Sequence, residues 1–135
     1  MLVAVSTSGN DLSSSVEPRF GRCPRYLVVD TETLEFKVVP NTAVGSAHGA
    51  GIAAAQLMAS IGVKAVLTGN VGPNAYSALS ASGIMIVTGV SGAVGDAVKR
   101  FNSGEYKSTS RPSVSGHFGT RGRGGGRGGG RRQRF

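Results

Sequence analysis

Five short runs of apolar residues, separated by polar and glycine-containing segments, are spaced along residues 1–90. Val, Ile, Leu and aromatic side chains dominate these runs, which is typical of strands. The predicted strands are Leu2–Val5, Tyr26–Val29, Phe36–Val39, Ala65–Leu67 and Ile84–Val87. The link between the second and third runs, residues 30–35, is too short for a parallel crossover, so we predict an antiparallel hairpin there.

Other apolar residues recur with helical spacing in three segments. They follow all or part of the i, i+3, i+4, i+7 pattern over residues 54–61, 75–79 and 94–101. Each segment is closed by a glycine that can adopt the left-handed conformation at a helix end: Gly62, Gly83 and Gly104. The order β-β-β-α-β-α-β-α predicts an α/β fold with one mixed five-stranded sheet and three helices. Strands separated by helices should pair in parallel through right-handed crossovers.

Ligands of such sheets bind beyond the carboxyl ends of the strands, near a change of strand direction. Four loops rich in Gly, Ser, Asn and Thr are predicted to meet there: Ser6–Val16, Asn41–Gly51, Gly69–Asn74 and Thr88–Gly92. They offer backbone N–H groups and hydroxyls rather than a set of catalytic acids.

The most distinctive of these loops follows the fourth predicted strand. Gly69 and Gly72 allow a sharp turn and a close backbone approach, and Pro73 suits the first turn of a helix. The free N–H groups of that helix would then point toward an anion. The alternative is an ordinary β-to-α turn without a ligand.

Charge divides the chain in two. Residues 1–106 hold seven basic and seven acidic side chains, so their formal charge is zero, whereas residues 107–135 hold eight basic side chains and no acid. The first part is long enough for one small domain. The second has almost no aliphatic residues and cannot bury enough apolar surface to offset its ordering entropy, so we predict a disordered tail.

The glycine- and arginine-rich tail resembles RGG-type segments. Arginines contact phosphates and stack on bases, which predicts RNA or DNA binding as an alternative function with the domain as a scaffold or protein-interaction module. The candidate residues are Arg121, Arg123, Arg127, Arg131, Arg132 and Arg134. A tail that merely aids solubility is equally consistent with this composition.

The sequence says less about the cellular compartment and the oligomeric state than about the fold. The sequence contains no apolar run near 18 residues and no signal-peptide pattern, so we expect neither a membrane span nor secretion. A single cysteine fits a reducing cytoplasm. We expect a cytoplasmic monomer or weak dimer.

Three motifs occur in order along the first part of the chain: Val16–Cys23, His48–Gln56 and Gly69–Ala75. Together they closely resemble the dinitrogenase iron–molybdenum cofactor biosynthesis domain of NifX, NafY and the end of NifB. The resemblance covers residues 1–106. It implies a ribonuclease-H-like fold and a non-catalytic carrier of an iron–sulfur or iron–molybdenum-type cluster or its precursor. Metallocofactor assembly proteins are the implied partners.

One position departs from the family pattern. Many members have His-Phe-Gly where this chain has Arg19-Phe20-Gly21. Arginine has no lone pair for a metal, so direct ligation from Arg19 is not expected. Its guanidinium could instead attract an anionic cluster or a carboxylate through charge and paired hydrogen bonds.

Two residues are candidate metal ligands, Cys23 and His48. Cys23 lies among Arg19, Arg22 and Arg25, whose positive charge should favour the metal-binding thiolate; the alternative is a half-buried structural cysteine. One thiolate cannot hold an iron–sulfur cluster, which normally takes four, so Cys23 would need His48, a bound cofactor or a second subunit. His48 itself could equally be a loop histidine without a ligand. The predicted cofactor-binding set is Arg19, Cys23, His48, Gly69, Asn70, Gly72 and Asn74.

A ribonuclease-H-like fold raises the possibility of nuclease activity. Two-metal phosphoryl chemistry needs several carboxylates around metals about 4 Å apart. The first predicted strand carries no acid, and Asp30 and Asp96 fall at a hairpin and in a helix. We therefore expect no enzymatic activity.

Overall fold

The computed structural model describes residues 1–43, 49–109 and 112. Its elements are β1 (Leu2–Thr7), β2 (Arg25–Asp30), β3 (Phe36–Pro40), α1 (Ala50–Ile61), β4 (Ala65–Leu67), α2 (Pro73–Ala81), β5 (Met85–Val87) and α3 (Val94–Asn102). The predicted α/β class, element order and five-strand, three-helix content are confirmed. Strand boundaries differ from the sequence prediction by at most two residues. The ribonuclease-H-like classification stays an implication of the resemblance.

The sheet is mixed, with strand order β3-β2-β1-β4-β5. Strand β1 pairs antiparallel with β2 and parallel with β4, so the strand direction changes on one side of β1. The predicted β2–β3 hairpin is confirmed. Its turn is held by Asp30, whose Oδ1 accepts a hydrogen bond from the Glu32 N–H at 2.8 Å. That backbone donor holds the pKa of Asp30 below its ordinary value.

Helices cover both faces of the sheet, so the strands are apolar on both sides. Ala4 and Val66 face α1 and α2, whereas Val3, Val5 and Leu67 face α3. This explains why the predicted strands appear in the sequence as continuous apolar runs rather than as alternating patterns.

Glycines end the three helices as predicted. Gly62, Gly83 and Gly104 have φ values of 90°, 75° and 78°, in the left-handed region that side chains disfavour. Helices α1 and α2 pack against each other. Their first turns lie at the edge of the sheet where the parallel strands β1, β4 and β5 end, which is called the carboxyl edge below.

The chain stays in contact with the sheet beyond the predicted domain boundary at residue 106. Tyr106 packs against the core on the α3 side. The Thr109 N–H donates to the Ile86 carbonyl at 2.6 Å, and the Thr109 and Thr88 hydroxyls lie 2.9 Å apart. Apart from residues 107–109 and 112, the predicted tail lies outside the described residues. Within the described part, no helix has the length and apolar character to cross a membrane.

Candidate functional site

The centre of the carboxyl edge is closed by the chain's own hydroxyl groups. Ser6 Oγ donates to the Glu17 carbonyl at 2.6 Å and lies 2.8 Å from Thr68 Oγ1. Because the single Ser6 hydroxyl proton is used on Glu17, Thr68 is the donor of the second bond. Thr7 Oγ1 likewise donates to the Ser15 carbonyl at 2.8 Å. The first predicted ligand loop, Ser6–Val16, is therefore tied to the sheet by internal bonds.

The N-terminus of α3 is also closed. Its first N–H groups donate to carbonyls of that loop, from Val94 to Ser14 and from Gly95 to Leu12, both at 2.8 Å. A Cβ at Gly95 would lie 3.2 Å from the Leu12 carbonyl oxygen, so glycine allows this close approach. In the predicted ligand loop Thr88–Gly92 itself, three N–H groups are also used within the chain. Thr88 donates to Thr109 Oγ1, Gly89 to the Gly69 carbonyl and Val90 to the Thr68 carbonyl, so these three donors are not free for a ligand.

The N-termini of α1 and α2 are open in the part of the chain that the structure describes. Both helices follow a glycine, Gly49 or Gly72, have no side-chain cap and carry no acidic residue in the first turn. Within residues 1–43 and 49–109, no group accepts from the N–H groups of residues 50–52 or 74–75. A Cβ at Gly51 would lie 3.0 Å from the Ala75 Cβ, so the two first turns are in contact. Two sets of donors that have no acceptor among the described residues therefore lie side by side.

The first and third sequence motifs are paired directly beside these helix ends. Asn70 N–H donates to the Pro18 carbonyl at 2.7 Å, and Phe20 N–H donates to the Asn70 carbonyl at 3.2 Å. A Cβ at Gly21 would lie 3.2 Å from the Gly51 Cα. The structure thus brings together Arg19, Asn70 and the first turns of α1 and α2. Arg19 has 58% of its side chain exposed, and its Nε lies 3.6 Å from Glu17 Oε1.

The two glycines of the third motif have different roles. A Cβ at Gly69 would lie 2.7 Å from the Pro18 Cα, so Gly69 permits the close approach predicted for it, but toward its own chain. Gly72 has φ −82° and ψ 175°, which any residue adopts, so its conformation does not require glycine. Asn74 is exposed in the first turn of α2.

Cys23 is fully buried, in the core beneath α1 and α2. Burial raises the pKa of its thiol, and the thiol donates to the Phe20 carbonyl at 3.4 Å. The expectation that nearby arginines favour a thiolate is therefore wrong. Arg25 Nη1 donates to the Ser8 carbonyl and Arg22 is exposed, so neither charge offsets the loss of solvent around the sulfur.

Two residues that hold the motif loop in place were not singled out from the sequence. The buried Tyr26 hydroxyl donates to the Phe20 carbonyl, and burial raises the pKa of Tyr26. The buried Asn41 amide donates to the Gly21 and Cys23 carbonyls at 3.2 and 2.8 Å. The only sequence signal for Asn41 is its place directly after an edge strand and before a glycine- and alanine-rich loop.

Several predicted site residues cannot be placed. His48 lies outside the described residues, as do all six arginines of the predicted nucleic-acid site. In the described part of the chain, no three His, Cys, Asp or Glu side chains are grouped so that they could hold a metal ion. The described site is therefore a set of backbone donors beside an exposed arginine.

Comparison with known proteins places this arrangement in a family. The apo form of the orange protein from Desulfovibrio gigas has 39% identity and a TM-score of 0.82, over 84% of this chain and 96% of that one. A candidate NifB protein from Thermotoga has 36% identity and a TM-score of 0.68, over 79% of this chain and 91% of its own. An uncharacterised protein of Methanocaldococcus jannaschii is 34% identical over 110 residues, which is 79% of this chain and 90% of that protein.

The sequence model of one family spans nearly the whole described domain. It matches residues 1–104, and its description is "Dinitrogenase iron-molybdenum cofactor". The match ends within a few residues of the last helix, so it covers all five strands and all three helices. The chain therefore belongs to the dinitrogenase iron–molybdenum cofactor family.

Proposed function

We propose that this protein binds and carries an anionic metal cluster or its precursor, of the iron–sulfur or iron–molybdenum type, without catalysing a reaction. The observation that carries the proposal is the pair of open helix N-termini at the carboxyl edge of the sheet, in a chain of this family. Each N-terminus presents the equivalent of about half a positive charge together with N–H groups that no described residue accepts from.

The chemistry of the site favours binding by charge and hydrogen bonds over coordination. The N–H groups of α1 and α2 would donate to cluster sulfur or oxygen atoms, and the exposed Arg19 guanidinium, which also pairs with Glu17, would donate further hydrogen bonds. The departure from His-Phe-Gly at Arg19 thus replaces a metal ligand with a counter-charge.

Coordination remains a proposal for two residues, with different requirements. Cys23 could ligate a metal only if the loop opened, because its thiol is buried and donates to Phe20. His48 stands two residues before Ala50, the first residue of α1. It is therefore adjacent in sequence to the helix turn that would hold the ligand. Ligation by either residue would add to the backbone site rather than replace it.

A carrier must release its cargo to another protein. A surface site formed by backbone donors suits exchange, because no covalent metal–protein bond has to break. We therefore propose metallocofactor assembly proteins as partners. The description of the Thermotoga relative as a candidate NifB protein supports this choice of partners.

The site is tested by anaerobic titration of the full chain with an iron–sulfur cluster donor and, separately, with molybdate. Backbone amide signals of Arg19, Gly51, Asn74 and Ala75 should shift. Asn74→Asp should weaken binding about fivefold, because it places a negative charge at the open α2 terminus. Cys23→Ser and His48→Ala then measure how much coordination contributes.

Gln56→Glu is the matched control, since it makes the same charge change on an exposed position of α1 away from its N-terminus. It should bind like the parent protein. Equal affinity of Asn74→Asp and Gln56→Glu, or shifts confined to residues outside the two first turns, would contradict the assignment.

A further inference from the structure

The two edge strands of the sheet, β3 and β5, differ in whether the chain covers them. At β5, the Met85 N–H donates to the Lys64 carbonyl at 2.9 Å, so the alternate residues Ile86 and Thr88 direct their backbone groups outward. Thr109 occupies two of these groups. Its N–H donates to the Ile86 carbonyl at 2.6 Å, and its Oγ1 accepts from the Thr88 N–H at 3.1 Å. The chain itself therefore covers part of the β5 edge.

Strand β3 has a free outer edge. At the two ends of its ladder with β2, the Asp30 N–H donates to the Glu35 carbonyl at 2.8 Å and the Asn41 N–H donates to the Pro24 carbonyl at 3.0 Å. Odd-numbered residues of β3 thus bond to β2, and even-numbered residues direct their backbone groups away from it. No described residue bonds to these outward groups, which belong to Phe36, Val38 and Pro40.

Two apolar side chains on this edge are also uncovered. Phe36 and Val38 lie opposite Val29 and Leu27, which belong to the core on the α3 side. Opposite residues of an antiparallel pair share a face, so Phe36 and Val38 lie on the α3 face. They are nevertheless 40% and 38% exposed. An edge strand with exposed apolar side chains and free backbone groups can pair with another chain.

We propose that β3 pairs antiparallel with β3 of a second copy of this chain, around a two-fold axis at Val38. In this register Val38 lies opposite Val38 of the second copy, and Phe36 lies opposite Pro40. Every outward N–H then has an acceptor, because Val38 donates to the Val38 carbonyl and Phe36 to the Pro40 carbonyl of the second copy. Pro40 has no N–H and leaves no donor without an acceptor. The inference is independent of the proposed function.

The neighbouring registers are unfavourable. A two-fold axis at Lys37 would place two lysines directly opposite each other, where like charges repel. An axis at Phe36 would require Leu34 of the second copy to be extended and to accept from Val38. Leu34 has a φ of 64°, which is not an extended conformation. Only the axis at Val38 uses all the outward donors without either conflict.

The charges at the two ends of the β2–β3 hairpin favour a second copy as the partner. The turn end carries exposed Glu32 and Glu35, and the other end carries Arg22 and Arg25. Among the described residues, neither Glu35 nor Arg22 forms an ion pair. An antiparallel two-fold pairing brings the acidic end of each copy beside the basic end of the other, so the edges are complementary in charge.

The pairing closes at two copies. Once both β3 strands are paired, the outer strands of the joined sheet are the two β5 strands, and Thr109 partly covers their edges. A two-fold interface of this kind does not extend into a filament. Each copy contributes a strand of only five residues, so the interface is small and the dimer weak.

Sedimentation of the full chain tests the dimer. The parent should pass from monomer to dimer on concentration to about 1 mM, at about 0.15 M salt to screen the +8 charge of each copy. Val38→Lys sets two lysines opposite each other and should weaken dimerisation about tenfold. Met85→Lys changes an equally exposed residue of β5 and should dimerise like the parent. A parent that stays monomeric, or an equal loss in both variants, would overturn the proposal.

Cysteine cross-linking tests the register, since the only native cysteine is buried. In Val38→Cys the two introduced residues would lie opposite each other with Cα atoms about 5.5 Å apart, which a disulfide can span. In Lys37→Cys each would lie opposite Val39 instead, and the two cysteines would be more than about 7 Å apart. Mild oxidation should therefore link Val38→Cys far faster than Lys37→Cys or Ile52→Cys, an exposed control on α1. Equal rates in the three variants, or faster linking of Lys37→Cys, would overturn the pairing at Val38.

Discussion

The N-terminus of α3 and those of α1 and α2 lie at the same edge of the sheet but differ in what their N–H groups meet. Val94 and Gly95 donate to carbonyls of the loop after β1, whereas the first turns of α1 and α2 have no acceptor among the described residues. The charged side chains in the first and last turns of the helices differ as well. Asp96 stands in the first turn of α3 and Lys99 and Arg100 in its last turn, while α1 and α2 have no such charges.

The difference separates the half of the edge whose donors are used by described residues from the half whose donors are not. Acidic residues at a helix N-terminus and basic residues at its C-terminus stabilise the helix, so α3 is compensated and the other two are not. An N-terminus left without compensation costs stability that a bound anion would restore. Features that break a local stability rule in this way tend to mark functional sites.

The largest expected effect on stability comes from adding a methyl group at two glycines, Gly69 beside the α1 and α2 termini and Gly95 in the first turn of α3. Gly69→Ala places a Cβ 2.7 Å from backbone atoms of Pro18, which cannot move aside as a side chain could, so we expect a loss of about 3 kcal/mol. Gly95→Ala meets Leu12 at 3.2 Å and should cost less than about 1 kcal/mol. Urea unfolding measures both. An equal or larger loss for Gly95→Ala would contradict the tighter approach on the open side.

The buried Cys23 thiol, beneath α1 and α2, predicts that the stability of the fold depends on pH in the alkaline range. Burial raises the pKa of Cys23 in the folded protein, so the unfolded chain loses its thiol proton first as the pH increases. The free energy of unfolding should therefore fall above about pH 8.5, by up to about 1.4 kcal/mol per pH unit. Cys23→Ala should remove this slope in urea unfolding between about pH 8 and 9, below the range in which the buried Tyr26 hydroxyl, whose pKa is also raised, contributes in the same direction. A slope that persists in Cys23→Ala would assign it to another group.

The smallest effect is a mirrored pair of charge changes at the two kinds of terminus. Asn74→Asp should raise the free energy of unfolding by about 0.5 kcal/mol, because it adds a negative charge at an uncompensated N-terminus. Asp96→Asn should lower it by a similar amount by removing the compensation on α3. Matching signs for the two variants would show that the termini do not differ as described.

Much of the fold could be predicted because its signals are local. The strand Ala65–Leu67 was predicted with its observed bounds, and Gly62 and Gly83 end helices because the left-handed conformation is a property of the residue itself. The resemblance also identified Arg19 and the Gly69–Asn74 turn, which the structure places side by side.

The candidate site was predicted less well because its properties depend on distant parts of the chain. Neighbouring arginines favoured a thiolate at Cys23, yet the sulfur packs into the core, and the nearby Arg25 donates to the Ser8 carbonyl. In the sequence, Asn41 does not differ from other polar loop residues. In the structure, its side-chain amide donates to two carbonyls that are 18 and 20 positions away in the chain.

By itself the sequence determined the elements, their order, the family and the difference in charge between residues 1–106 and 107–135. Apolar spacing, stop glycines and charge are readable along the chain. Only the tertiary structure decided that the N-terminus of α3 is closed by Leu12 and Ser14, whereas no described residue accepts from the first N–H groups of α1 and α2. These contacts join residues far apart in the chain, and they form only when the sheet and its helices have packed.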